Sequence, residues 1–313
     1  MKKVGWKLRC FGLLTFLMCL STRSSAQLGS KVDSLIAETK VLLEFYSRLS
    51  PLDDLLAYSD LDLSTREMAY LKADNEEPDY LYGDSIYASD LIYYVQDRVQ
   101  SRIEKITRIA DLYSYDLVEI FQNYELAVVR STDGKLYNFS LDEKTGGSYR
   151  SRVSWMHYTE ENNESITLQK EATYSESIFY GFENDGYDRI DTVHSGDQVN
   201  YVLKGSVQGC NACFLTYVEM VKYENGQFAN EFYYSVESRS WDAELDYYPE
   251  SRTIRSDYLT DDLTPDCGCE TRRDFTNGNY DYSQDEEPVY GLECHCEFIF
   301  DGYNFVEVVE TVK

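Results

Sequence analysis

Positive charge is scarce in this chain: its 313 residues hold 29 Lys and Arg against 56 Asp and Glu, a formal net charge of -27. Phosphate backbones are bound through a basic footprint, and anionic membrane surfaces through polybasic segments. The balance therefore argues against nucleic acid and against membrane docking. Histidine is scarcer still, at three residues. His157, His194 and His295 stand apart, and no Gly-x-Ser-x-Gly elbow accompanies them, so a hydrolase triad lacks its parts. No Gly-rich phosphate cradle opens a helix. Beyond residue 26 there is no apolar run of about 18 residues, so no transmembrane segment is expected. Apolar residues nonetheless reach 43%, enough for a packed core and against disorder throughout.

What is present begins with residues 1–26, which read as a signal peptide. Lys2, Lys3, Lys7 and Arg9 precede the apolar stretch from Phe11 to Leu20, and Ser24-Ser25-Ala26 offers small residues for cleavage before Gln27. The expectation is a secreted or periplasmic protein. The alternative, a lipid anchor on Cys19, ranks second because Phe16-Leu17-Met18 lacks the small residue expected before an acylated cysteine.

Residues 27–120 carry helical spacing. Val32, Leu35, Ile36, Leu42, Leu43 and Tyr46 form one stripe, stopped at Ser50-Pro51. A short helix is expected from Pro51 to Tyr58 and another from Thr65 to Lys72. A longer one follows Ser89-Asp90, with Ile92, Val95, Val99, Ile103, Ile106 and Ile109 recurring every three or four residues. From about Phe121 the period changes to strands. Glu125 to Arg130 and Lys135 to Leu141 flank a turn at Asp133-Gly134, and similar turns recur at Gly186, Gly226, Gly278 and Gly302. The expected class is α+β: a helical region, then over 121–313 an antiparallel β-meander domain with a cysteine-rich C-terminal part. That domain is read as sandwich-like, with a small β-propeller as the alternative, because blades recur at similar spacing.

The run from Ser131 to Tyr137, with Ser140-Leu141-Asp142 and Thr145-Gly146-Gly147, resembles a group of uncharacterised secreted bacterial proteins. So do Tyr201 to Gly205 and Asp301 to Val306. The resemblance covers most of the chain after residue 26 and implies export and a helical part before an Asp-Gly hairpin β domain. It implies no activity, and the stretch from Cys210 to Cys296 departs from it.

Past the signal segment six cysteines remain: Cys210, Cys213, Cys267, Cys269, Cys294 and Cys296. Close pairs can ligate zinc, but an even number in an exported chain points to disulfides. In each Cys-x-Cys both sulfurs share a strand face, so two such strands side by side can be cross-linked twice. Asn184, Asp185, Asp188 and Asp191 crowd oxygen atoms around Gly186, as calcium loops do, without the full alternating acidic series. A plain hairpin turn is the expected reading, and neither a metal nor a cofactor is expected. From Asp242 to Glu250 carboxylates alternate with apolar residues. Retaining glycosidases place two carboxylates on one strand face, but Pro249 interrupts this strand, and a solvated acidic face over a core face explains the pattern. No catalytic residue is singled out. The function expected is non-catalytic binding, of a protein or glycan at the cell envelope or outside it, with tyrosine-rich strands as the contact surface. The alternative is a glycan-acting hydrolase using strand-borne carboxylates.

Overall fold

The apolar stripes and alternations resolve into four layers. A computed structural model describes residues 29–74, 84–109, 115–145, 150–159, 165–169, 186–209, 214–224, 227–238, 243–260, 267, 269–272 and 291–308. The signal-peptide expectation, Asn184, Asp185, Cys210 and Cys213 lie outside those residues.

The first layer is helical. Helix α1 spans 29–47, with Val32, Ile36, Leu43 and Tyr46 buried on one stripe. Helix α2 (Thr65–Asp74) starts at Ser64, whose hydroxyl accepts from Glu67 N at 3.2 Å and so satisfies one of the free first-turn donors. Helix α3 (Ala88–Ile109) buries Leu91, Ile92, Val95, Val99, Ile103 and Ile106. Helix α4 (Leu117–Phe121) is capped by Asp116, which accepts from Glu119 N. Between Ser50 and Thr65 no α-helix forms. Leu55–Ala57 is instead a strand, β1, paired antiparallel with β2 (Ser85–Tyr87), and a single 3-10 turn, Tyr58–Asp60, follows it. The expected helix over Pro51 to Tyr58 is overridden because its backbone finds a partner strand just ahead of α3.

Three antiparallel sheets follow in chain order. The first runs β3 (Ala127–Arg130), β4 (Leu136–Asp142), β5 (Arg152–Thr159) and β6 (Ser165–Gln169). The second is built from β7 (Arg189–Ser195), β8 (Gln198–Gln208), β9 (Phe214–Glu224) and β10 (Gln227–Ser238). The third orders β11 (Glu244–Tyr248), β12 (Thr253–Thr260), β14 (Gly291–Phe300) and β13 (Cys269–Arg272), with β15 (Phe305–Glu307) also paired to β14. The fold is α+β, and its sheets do not close into a barrel.

Period-two alternation assigns each strand face to a layer. Tyr137, Phe139, Leu141 and Trp155 join the helices in one core cluster, so the helical layer covers one face of the first sheet. Leu136, Met156 and Tyr158, on its other face, meet Tyr187, Ile190, Tyr201, Leu203, Tyr217 and Val221 of the second sheet. Val202, Val218, Met220 and Val236 then face Leu245, Tyr247, Ile254, Phe298, Phe300 and Phe305 of the third. The second sheet is therefore buried on both faces along β8 and β9.

The recurring glycines do not mark equivalent places in these sheets. Gly134, with φ +76°, turns β3 into β4, and Gly302, with φ +105°, turns β14 into β15. Gly186, with φ +78°, begins a described stretch, and the residues before it lie outside the described ones. It lies against Ser140 of β4, where the first sheet meets the second, while the β7–β8 turn falls at Gly196.

The cysteine strands do lie side by side. Cys269 is the register partner of Cys294, and two residues further along Cys267 is disulfide-bonded to Cys296, with Cα atoms 5.6 Å apart. Cys294 is disulfide-bonded as well.

Candidate functional site

The strand tyrosines point inward. Tyr137, Tyr158, Tyr201, Tyr217 and Tyr247 are buried, as is Tyr187 just before β7; Tyr223, Tyr234, Tyr248 and Tyr258 are half-buried, and among the described strand tyrosines only Tyr233, at 41%, is exposed. Much of the tyrosine area is thus turned into the cores, and the charged exposed chemistry gathers elsewhere.

It lies in a groove of about 650 Å³ crossing the edges of all three sheets. The first sheet supplies Asp142, Arg150 and Arg152. The second supplies Asp188, Arg189, Lys204 and Ser206, with Val207 and Phe214 as apolar lining, and β11 of the third adds Glu244, Leu245 and Asp246. Backbone contacts hold the walls together: Arg150 N donates to Gln208 O at 2.8 Å, and Asp188 N to Lys204 O at 2.7 Å. Alternation along β11 buries Leu245 and Tyr247 and turns Glu244 and Asp246 outward, as the carboxylate spacing suggests.

Most of the groove's charges are paired. Arg152 meets Asp188 at 3.1 Å and donates to Ser206 O at 3.0 Å, while Ser206 Oγ donates to Asp188 at 2.9 Å. Arg189 bridges Asp191 and Asp246, each at 2.6 Å, and also donates to Tyr247 O. Lys204 approaches Asp246 at 3.3 Å, and Arg150 approaches Asp142 at 3.8 Å. Burial pushes Asp191 above its ordinary carboxylate value, against the pull of Arg189. For Arg189, burial works against the charge, but Asp191 and Asp246 more than offset it.

Asp188 and Asp191 therefore answer two different guanidinium groups and do not converge on a common point. Among the described residues no group of three His, Cys, Asp or Glu side chains is placed to hold a metal ion. The histidines are dispersed: His157 is buried in β5, His194 is exposed on β7, and His295 contacts Asp257 on the third sheet.

The arginines and the lysine were invisible to sequence reasoning as a set. Arg152, Arg189 and Lys204 come from three strands of two sheets, and no spacing rule relates residues brought together by layer stacking. The only local signal was the outward acidic face of β11, which asks for cations opposite it. No protein-family model, curated protein or solved structure matches the chain.

Proposed function

We propose that this is an exported, non-catalytic binding protein acting at or outside the cell envelope, and that the three-sheet groove holds a glycan. The observation that carries the reading is charge balance. Arg150, Arg152, Arg189 and Lys204 face Asp142, Asp188, Glu244 and Asp246, four cations against four carboxylates in a chain of net charge -27. A paired lining offers donors and acceptors with little net field, which suits a neutral, hydroxyl-rich ligand better than an ion. Phe214 and Val207 give apolar surface for sugar C–H faces. Asp188 and Asp246 are committed to Arg152 and to Arg189 with Lys204, which supports binding over proton transfer. Export is supported by the residue 1–26 pattern and by the disulfides, which persist in oxidising compartments.

The test is binding to a panel of neutral oligosaccharides, with new reducing ends assayed in the same mixtures. Saturable binding without new reducing ends, weakened at least tenfold by Arg189→Gln with Asp246→Asn, is the expected outcome. Release of reducing ends would replace this reading with a glycan hydrolase, and no binding across the panel would overturn it.

A further inference from the structure

The helical layer holds what the composition hides. A cleft of about 420 Å³ between α1 and α3, to which α2 contributes Arg66, is lined by Lys31, Arg66, Arg98, Arg102, Lys105 and Arg108. Among its lining residues Glu38 is the sole carboxylate. Arg98, Arg102, Lys105 and Arg108 recur at helical spacing on α3. At 1.5 Å per residue they extend over about 15 Å, longer than any single small anion can span.

Part of this charge is already compensated. Glu67 pairs with Arg98 at 2.9 Å and with Arg102, Tyr94 donates to it, and Arg102 also pairs with Glu38. Burial alone would push Glu67 up, but Arg98 and Arg102 hold it below its ordinary value. That knot fixes the three helices relative to one another. The rest is compensated less fully: Arg66 lies over the Tyr70 ring. Lys31 and Lys105 are exposed and pair with no carboxylate among the described residues, and Arg108 reaches Glu104 only at 3.7 Å. In addition Arg102, 5% exposed, keeps a buried Nε–H with no acceptor. A buried guanidinium donor without a protein acceptor is uncommon in folded proteins.

We infer that this cleft is a second binding site, independent of the groove between the sheets, for a small ligand carrying two or more phosphate or sulfate groups. Planar guanidinium groups beside mobile ammonium groups form the donor set that tetrahedral oxyanions recruit. The cation row matches a ligand with separated anionic groups, and Leu35 and Ile109 leave room for a carbon skeleton between them. The strongly acidic remainder of the chain repels such a ligand at long range. Affinity must therefore come from contacts inside the cleft, within a screening length of about 8 Å at physiological salt.

The experiment is isothermal titration of the full chain at 50 and 150 mM NaCl with two probes, inorganic tripolyphosphate and sucrose octasulfate. Saturable one-to-one binding of either probe is expected, several-fold weaker at the higher salt, and the tighter probe names phosphate or sulfate as the ligand's chemistry. Lys31→Gln with Lys105→Gln should weaken it at least tenfold, because neither residue contributes to the helix-fixing knot. Arg255→Gln, an exposed cation of the third sheet, should leave affinity unchanged, and glycan binding in the groove should persist in the Lys31/Lys105 variant. Absence of binding by both probes at 50 mM NaCl would overturn the inference. So would equal weakening by Arg255→Gln, or undiminished affinity in the Lys31/Lys105 variant.

Discussion

Between the first and second sheets, Tyr187 and Asn230 both donate to the buried Glu219, the latter at 3.0 Å. Tyr217 OH donates to Gly186 O at 2.5 Å, and Tyr187 N donates to Asn138 Oδ1 at 3.0 Å. Between the second and third sheets the buried contacts are mainly rings, with polar contacts at the edges: Phe232 on Phe298 at 5.3 Å, Tyr234 on Phe298 at 4.7 Å and Phe232 on Phe305 at 5.2 Å. One seam is fixed by directional bonds in a low-dielectric interior, where an unmet group is costly. The other is filled by volume, with the Cys267–Cys296 bridge of the third sheet packed against the same cluster. The lesson is that two interfaces of one architecture place opposite demands on sequence. The first admits almost no change of polar atoms, and the second almost no change of size.

The largest expected effect breaks the comparison from the apolar side. Phe298→Ala should cost about 4 kcal/mol through lost burial and the cavity left behind, read as a lowered urea midpoint at unchanged slope. A loss under about 1 kcal/mol would mean that the ring contacts are not what closes this seam.

Acid probes a third interface, the helix-covered face of the first sheet. His157 is buried in β5, where burial and the charge of Arg108 push its pKa down to about 4. The unfolded chain takes up that proton near pH 6.5, whereas the folded chain resists until near pH 4. Stability should be complete above pH 6.5 and fall by up to about 3 kcal/mol as pH drops to 4. Replacing the imidazole in His157→Gln should flatten that part of the pH–stability curve, and an unchanged slope would assign the acid sensitivity to other groups.

Gly205 of β8 tests how tightly the polar seam is drawn. A Cβ there would stand 2.5 Å from Gly186 O and from the Tyr217 ring. Neither obstacle is the loose end of a flexible chain, so Gly205→Ala should cost about 2 to 3 kcal/mol. Equal stability of the variant would show that the two sheets can move apart.

The smallest effect is the sharpest discriminator, because it deletes one oxygen in each seam. Tyr187→Phe takes one of the two named donors from the buried Glu219, leaving the Asn230 amide, and should cost about 2 kcal/mol. Tyr247→Phe, in the ring-filled seam, should stay within about 0.5 kcal/mol. Parity between the two would erase the distinction drawn above.

Much of this was legible in the residues. The stripe of α3, the Gly134 hairpin, the inward Leu245 and Tyr247, and the adjacency of the two Cys-x-Cys strands all follow from local period or turn chemistry. What escaped depends on partners distant in sequence. Leu55 to Ala57 became a strand because Ser85 to Tyr87 lay opposite. Gly186 resembled a turn glycine from its Asp-Gly pair, and its positive φ agrees, but a Cβ there would also meet Ser140 of β4 at 2.8 Å, a close approach no local pattern shows. Tyrosine abundance read as surface because a phenol suits half-wet strands, yet here the hydroxyls of Tyr187 and Tyr217 find acceptors inside. The cationic cleft was hidden for a simpler reason. Its six side chains are spread over three helices of a chain whose overall balance is of opposite sign.

The order of the layers has a kinetic consequence. Helices, first sheet, second sheet and third sheet stack in the order in which the ribosome makes them, and among the described strands of the three sheets every pairing but β12 with β14 joins consecutive strands. Loop closures inside each sheet are therefore short, and each finished sheet presents an apolar face on which the next can condense. A chain delivered from its N-terminus can grow by accretion, one slab at a time. The β12–β14 pairing and the bridge between Cys267 and Cys296 wait for almost the last residues to arrive. The oxidised cysteines thus act as a clasp closed at the end of assembly, and a chain interrupted before Cys296 would carry its inner layers with the outermost slab unlocked.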